Sequence, residues 1–266
     1  TIFSGIITGS SSSALTFNAP QTLTLTGDNA MSGTVTVSSG TLAVGAGGRL
    51  APSNLVVNGP GTFDFSASTG NLTFGTVAGT GAGTIAMGPN NMTVQTISPT
   101  PYAGSITGTG GVTATGNNTW TLGGTTSTYS GGTTINQNAT VAIQGDGSLG
   151  QAGAPVNWTG TGLNLPTLQL NAGPVVTARP FHFGSPLNVI NLQTFTLTSA
   201  GGGSSGPGLL DIAGTGTFNI QSTFDHIGGT IISGPTLAIL GSGSIAGDIE
   251  VDAGTFDISG AANPQN

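Results

Sequence analysis

Short apolar alternation, repeated from Leu23 to Ile258 and never sustained for long, is the feature that limits what this chain can fold into. Leu23-Thr24-Leu25, Val35-Thr36-Val37, Leu42-Ala43-Val44, Phe63-Asp64-Phe65, Val141-Ala142-Ile143, Phe195-Thr196-Leu197 and Ile249-Glu250-Val251 each set two apolar side chains on one strand face. A small or polar residue points the other way. Strands of roughly 3 to 6 residues follow, punctuated by glycine at spacings of roughly 8 to 12 residues. No stretch holds apolar residues at i, i+3, i+4 and i+7 free of Gly, Thr or Pro, so the expectation is all-β with almost no α-helix.

Composition then separates folded from disordered readings. Charged residues are only 4% of the chain against a usual share of roughly 25%, so the surface must be covered by Thr, Ser, Asn and Gln. Disorder needs low hydrophobicity with strong net charge, and the recurring Val, Ile, Leu and Phe argue against it. Nine acids face two arginines and no lysine, giving −7. Phosphate neutralisation needs clustered cations, so nucleic acid is excluded as a partner and anionic membrane surfaces are disfavoured. There is no cysteine for a disulfide or thiolate site. No run of about 18 apolar residues exists to insert directly into a membrane as a helix. Thr1-Ile2-Phe3-Ser4-Gly5 lacks the basic and apolar regions of a signal peptide, and the end at Asn263-Pro264-Gln265-Asn266 follows closely on a strand pattern. The sequence therefore reads as an excerpt of something longer, with exposed terminal coils.

Many short strands suit a sandwich, a barrel or a solenoid, and three features favour the solenoid. Phe3-Ser4-Gly5-Ile6-Ile7-Thr8-Gly9-Ser10 returns as Tyr102-Ala103-Gly104-Ser105-Ile106-Thr107-Gly108-Thr109, and residues 32–44 return as 130–143, both about a hundred residues on. No strand carries the Lys, Pro or inward charge that protects an open sheet edge. Stacked Thr and Asn cover a parallel sheet without charge. At about 20 to 25 residues per coil and near 4.8 Å between coils, residues 1–266 would form one continuous rod of roughly a dozen coils and about 50 to 60 Å. Residues 174–208 break the pattern with Pro174, Pro180, Pro186 and Pro207, and a loop excursion is expected around 199–208.

Thr128-Tyr129-Ser130-Gly131-Gly132-Thr133-Thr134-Ile135, followed by Ala139 to Gly150, resembles the autotransporter-associated β-strand repeat of type V secreted bacterial passengers. Ile106-Thr107-Gly108-Thr109-Gly110-Gly111-Val112 and Trp120-Thr121-Leu122-Gly123-Gly124 resemble the earlier part of that repeat. Residues 3–44 resemble a weaker copy, and Gly241 to Val251 is similar to a common passenger coil. The resemblance implies a right-handed parallel β-helix, secretion through an outer-membrane barrel that this chain does not itself contain, and an extracellular place on a bacterial cell surface or free of it. It also implies adhesion to like chains, glycans, or a host or matrix surface.

The sequence offers several candidate residues, none of which is assigned a catalytic, cofactor-binding or metal role. Asp248, Glu250 and Asp252 at i, i+2 and i+4 share one strand face and could meet calcium; an outward face with Ile249 and Val251 inward explains them as well. His182 and His226, with Asp225 beside the latter, lack a nucleophile elbow. Gly145-Asp146-Gly147-Ser148-Leu149 evokes a lipase block but falls in the repeat as a turn. Thr-x-Thr strings at 22–26, 34–36 and 194–198 are too irregularly spaced for a flat hydroxyl array. Asn71, Asn91, Asn117, Asn138 and Asn157 head Asn-x-Ser/Thr triplets, as a Thr-rich composition produces. A carbohydrate-active β-helix enzyme is the alternative function, weakened because Arg49 and Arg179 are the only arginines and most acids stand singly. A passive spacer stalk is a third.

Overall fold

The computed structural model describes residues 1–50 and 52–262. Every strand pair in it is parallel, and strands near in sequence pair not with each other but with strands about one coil away. That is the arrangement of a parallel β-solenoid. Most coils contribute a strand to each of three faces, and the faces form ladders along the rod.

Face one is the longest ladder. Leu15, Val35, Leu55 and Val77 stand directly above one another, about one coil of twenty residues apart. A bridge from Gly79 to Tyr102 passes the ladder on. Trp120, Val141, Leu168, Ile190, Ile212, Ile232 and Val251 then continue it. Twelve coils at about 4.8 Å make a rod of about 55 Å. The alternation read from the sequence fixes the register, because slipping one residue would turn every one of these side chains to water. Some corners are crossed without leaving the strand: Ala14–Leu25, Thr34–Val44, Thr230–Gly241 and Ile249–Ala261 each serve two faces through a register shift. Others turn on glycine. A Cβ on Gly124 would lie 1.9 Å from the Gly104 carbonyl oxygen, and one on Gly104 would lie 2.1 Å from that of Gly83.

Inside the coil, aliphatic columns are joined by aromatic ones. Phe63 meets Phe65 and Phe74 at 6.0 Å, and Trp158 meets Phe183 at 5.0 Å and Phe181 at 5.8 Å. Such edge-on and tilted pairs add to the burial of the rings themselves. Two inward polar rings find acceptors, Trp120 Nε1 donating to the Val77 carbonyl at 2.9 Å and the Tyr102 hydroxyl to that of Gly83 at 2.9 Å, whereas the buried Trp158 Nε1 meets none among the described residues.

Faces two and three are interrupted. On face two, strands run to residues 105–107, and resume at Val175–Thr177; between them the chain passes through 127–129 and a four-residue 3-10 turn, Asp146–Leu149. On face three, Thr8–Gly9, Asp28–Met31 and Arg49–Leu50 form a short sheet of their own. The next strand, Leu72–Phe74, begins a separate nine-stranded ladder and does not pair with Arg49–Leu50.

The excursion expected at 199–208 is not one. Ser204–Ser205 forms a strand on face three, paired to Phe181–Phe183 below and Thr223–Phe224 above, and Gly202 and Gly203 turn the corner with positive φ. Prolines 174 to 207 sit at corners between regular strands, where no ladder donor is lost. The chain leaves the coil earlier, at 159–166. There the step from Val141 to Leu168 lengthens to 27 residues and Leu163 is 98% exposed.

Candidate functional site

Arg179 lies in the stretch 174–208 that breaks the sequence pattern, yet it is built into the core. Its side chain is fully buried. The guanidinium donates to the carbonyls of Leu149, Gln151 and Ala154 through Nη1, and to those of Asp146 and Gly150 through Nη2, at 2.8 to 3.1 Å. Nε and Nη2 also hold the Asp146 carboxylate at 2.7 and 3.1 Å. These carbonyls lie where face two has no strand, so the guanidinium supplies donors that a ladder would have given. The Gly145-to-Leu149 string is thus a capped turn around an arginine. Beside it, burial pushes the Tyr129 phenol up to about 12, against a hydrogen bond to Thr133 and the Arg179 charge, so the ring stays neutral.

His226 faces inward against Phe183 at 5.1 Å. Its Nδ1 lies 3.1 Å from Ser204 Oγ, and its Nε2 lies 3.0 Å from the Gly229 carbonyl and 2.9 Å from Thr230 Oγ1. A carbonyl accepts only, so Nε2 carries the proton and Nδ1 accepts from Ser204. The pair has the contacts of a serine–histidine dyad but no access for a substrate, since the ring is wholly buried. Burial lowers the His226 pKa, opposed by the Gly229 carbonyl. Asp225 points outward, away from the ring, and His182 lies on the outside, 3.1 Å from Ser205 Oγ.

The remaining candidates are distributed over outward faces. Glu250 pairs in register with Ile231, and among the described residues no group of three His, Cys, Asp or Glu side chains could hold a metal ion. Ile249 is half-buried against the core, while Val251, expected inward, is 49% exposed on the last described coil. Hydroxyls do stack: Thr22, Thr41, Thr62, Thr84 and Ser105 form one column on face two, and Thr196, Thr217, Thr236 and Thr255 another. The columns do not widen into a flat array, since Ala43 and Asp64 follow Thr24, Val56 follows Thr36 and Asn219 follows Thr198. Four of the five Asn-x-Thr asparagines stack in pairs, whereas Asn157 lies between Thr134 and His182. Asn91 N–H donates to Asn71 Oδ1 at 2.8 Å, and Gly111 N–H to Asn91 Oδ1 at 2.7 Å; Asn138 Nδ2 donates to Asn117 Oδ1 at 3.2 Å.

What the molecule offers to a partner is therefore a long flank of uncharged hydroxyls and amides, not an enclosed catalytic centre. Two segments, 20–44 and 112–143, match the passenger-associated transport repeat. The chain belongs to the autotransporter passengers that carry this repeat. It is 33% identical over 190 residues, 68% of this passenger chain, to the BmaC adhesin autotransporter of Brucella suis biovar 1 (strain 1330). It spans about 5% of that relative's length. No solved structure matches the passenger chain. Each matched repeat covers somewhat more than one coil, and the two copies are not in phase with the rod. The strand ending at Val44 lies on face two, whereas its counterpart ending at Ile143 lies on face one. Repeat copies about a hundred residues apart are separated by a whole number of faces but not by a whole number of coils. Three near-equivalent faces accept the same strand–glycine–strand string.

Proposed function

We propose that this chain is a structural and adhesive rod of a bacterial surface protein, displayed outside the cell and binding other copies of itself or glycans of a host or matrix surface. The observation that carries the reading is the outward flank. Over about 55 Å of rod it presents stacked Thr and Asn, and the one ion pair there among the described residues, Arg49 to Asp28 at 3.8 Å, is open to water. Two such flanks repel weakly and exchange hydrogen bonds readily. The relative's description as an adhesin supports the same reading. Among the described residues no helix is long and apolar enough to cross a membrane. Display would therefore depend on an outer-membrane barrel elsewhere in a longer passenger protein.

The test is display of residues 1–266 on a non-adherent bacterium, scored by settling in static culture and by retention on matrix-coated glass under flow. Clumping or retention above that of cells displaying an unrelated rod of equal length is expected. Cells that stay dispersed and wash off, while circular dichroism shows the β-rod intact, would support a spacer without partners.

A further inference from the structure

The chain has two arginines and no lysine, and each arginine stands where a face loses its ladder. At the break on face two, Arg179 is buried and all its donors are used. At the break on face three the situation is the reverse. Arg49 is 75% exposed and, among the described residues, reaches only Asp28, at 3.8 Å and itself 73% exposed.

Between Gly48-Arg49 and the link 68–73 lies a cleft of about 450 Å3, within the range of roughly 300–1,000 Å3 that small-molecule sites occupy. A second hollow of about 250 Å3, lined by Asp28 to Ser32, adjoins Arg49 on its other side. The cleft exists because its two walls are tied to different neighbours. Arg49 N–H bonds down to Gly27, whereas Asn90 Nδ2 bonds the carbonyls of Phe65 and Ser68 from above. Ser68, Thr69, Asn71 and Thr73 line the upper wall, with buried Leu72 beneath. Asn71 Oδ1 is taken by the Asn91 N–H, which orients its side chain.

We infer that this cleft binds a carboxylate-bearing sugar, a uronic-acid or similar acidic saccharide. The guanidinium fork matches a planar carboxylate, and one cation with an acid nearby suits a single negative charge better than a sulfate- or phosphate-rich chain. The hydroxyls and amide opposite suit sugar hydroxyls. The inference names a ligand class for the adhesive reading and rests on it.

Isothermal titration of the full chain with a uronic-acid disaccharide, its carboxyl-reduced form and a sulfated disaccharide tests it. Saturable binding of the first, weakened at least tenfold by Arg49→Gln at an unchanged melting temperature and tightened by Asp28→Asn, is the expected result. Equal affinity for the reduced or sulfated sugar, indifference to Arg49→Gln, or no saturable binding would overturn it. The clumping and retention assay is run in parallel with wild type and Arg49→Gln. Wild-type adhesion without acidic-sugar binding removes this inference alone, and loss of both removes the adhesive reading with it.

Discussion

Arg179 shows how one residue can stand in for a strand. Its guanidinium serves five carbonyls and one carboxylate across residues 146–154, so Arg179→Met leaves those acceptors dry and Asp146 without its cation. Breaking a buried pair in this way costs about 3–5 kcal/mol, which denaturant unfolding of the variant should report. Arg179→Lys should recover little, because an ammonium has three donors and no planar fork. Nothing in the local string around Arg179 shows this: its partners lie 25 to 33 residues earlier, and only the stacking of coils brings them together. His226 gives a second residue-scale expectation. Its folded-state pKa lies below the free value of about 6.5, so the unfolded chain takes up the proton first as pH falls. Its share of stability is complete above about pH 6.5 and declines below it, by at most about 1.4 kcal/mol per pH unit for one proton. Melting curves from pH 8 to 5 should therefore fall more steeply for wild type than for His226→Gln.

Among the elements, the corners vary and the strands do not. Four residues join Ile135 to Thr140, and eight join Trp158 to Thr167, the extra length forming the 159–166 excursion with Leu163 in water. Its ends are held, Thr159 N–H by the Ile135 carbonyl and the Pro166 carbonyl by Val189 N–H, and between them the Leu165 N–H is tied back to Asn138 Oδ1 at 2.8 Å. Limited proteolysis should cut here first, leaving two fragments held together by the ladders. Leu163→Ser should alter stability by no more than about 0.5 kcal/mol while removing the preferred site of a leucine-directed protease. Gly160, Gly162 and Pro166 were a sequence signal for this loop. They are a weaker signal than the denser prolines and glycines of 174–208, which turn ordinary corners. The break on face three had a fainter signal, the run Ser66-Ala67-Ser68-Thr69-Gly70 without an apolar anchor.

For the whole molecule, parallel stacking was legible because alternation, glycine spacing and the absence of protected edges all pointed to a coil. The side chains meant to turn inward do so from Leu25 to Ile239. Sites were less legible, since register along the rod, not spacing along the chain, decides which side chains meet. Asp248, Glu250 and Asp252 are near in sequence, yet among the described residues they form no cluster of three ligating side chains, whereas Ser204 and His226 are 22 residues apart and touch.

The phase offset between the two repeat copies has a consequence for anything longer built on the same plan. Each recurrence of the motif arrives rotated by about a third of a revolution about the long axis, so equivalent patches wind round the shaft like the thread of a screw. Neighbouring shafts then meet compatible patches from any side, which favours bundles without a preferred flank over flat two-dimensional arrays.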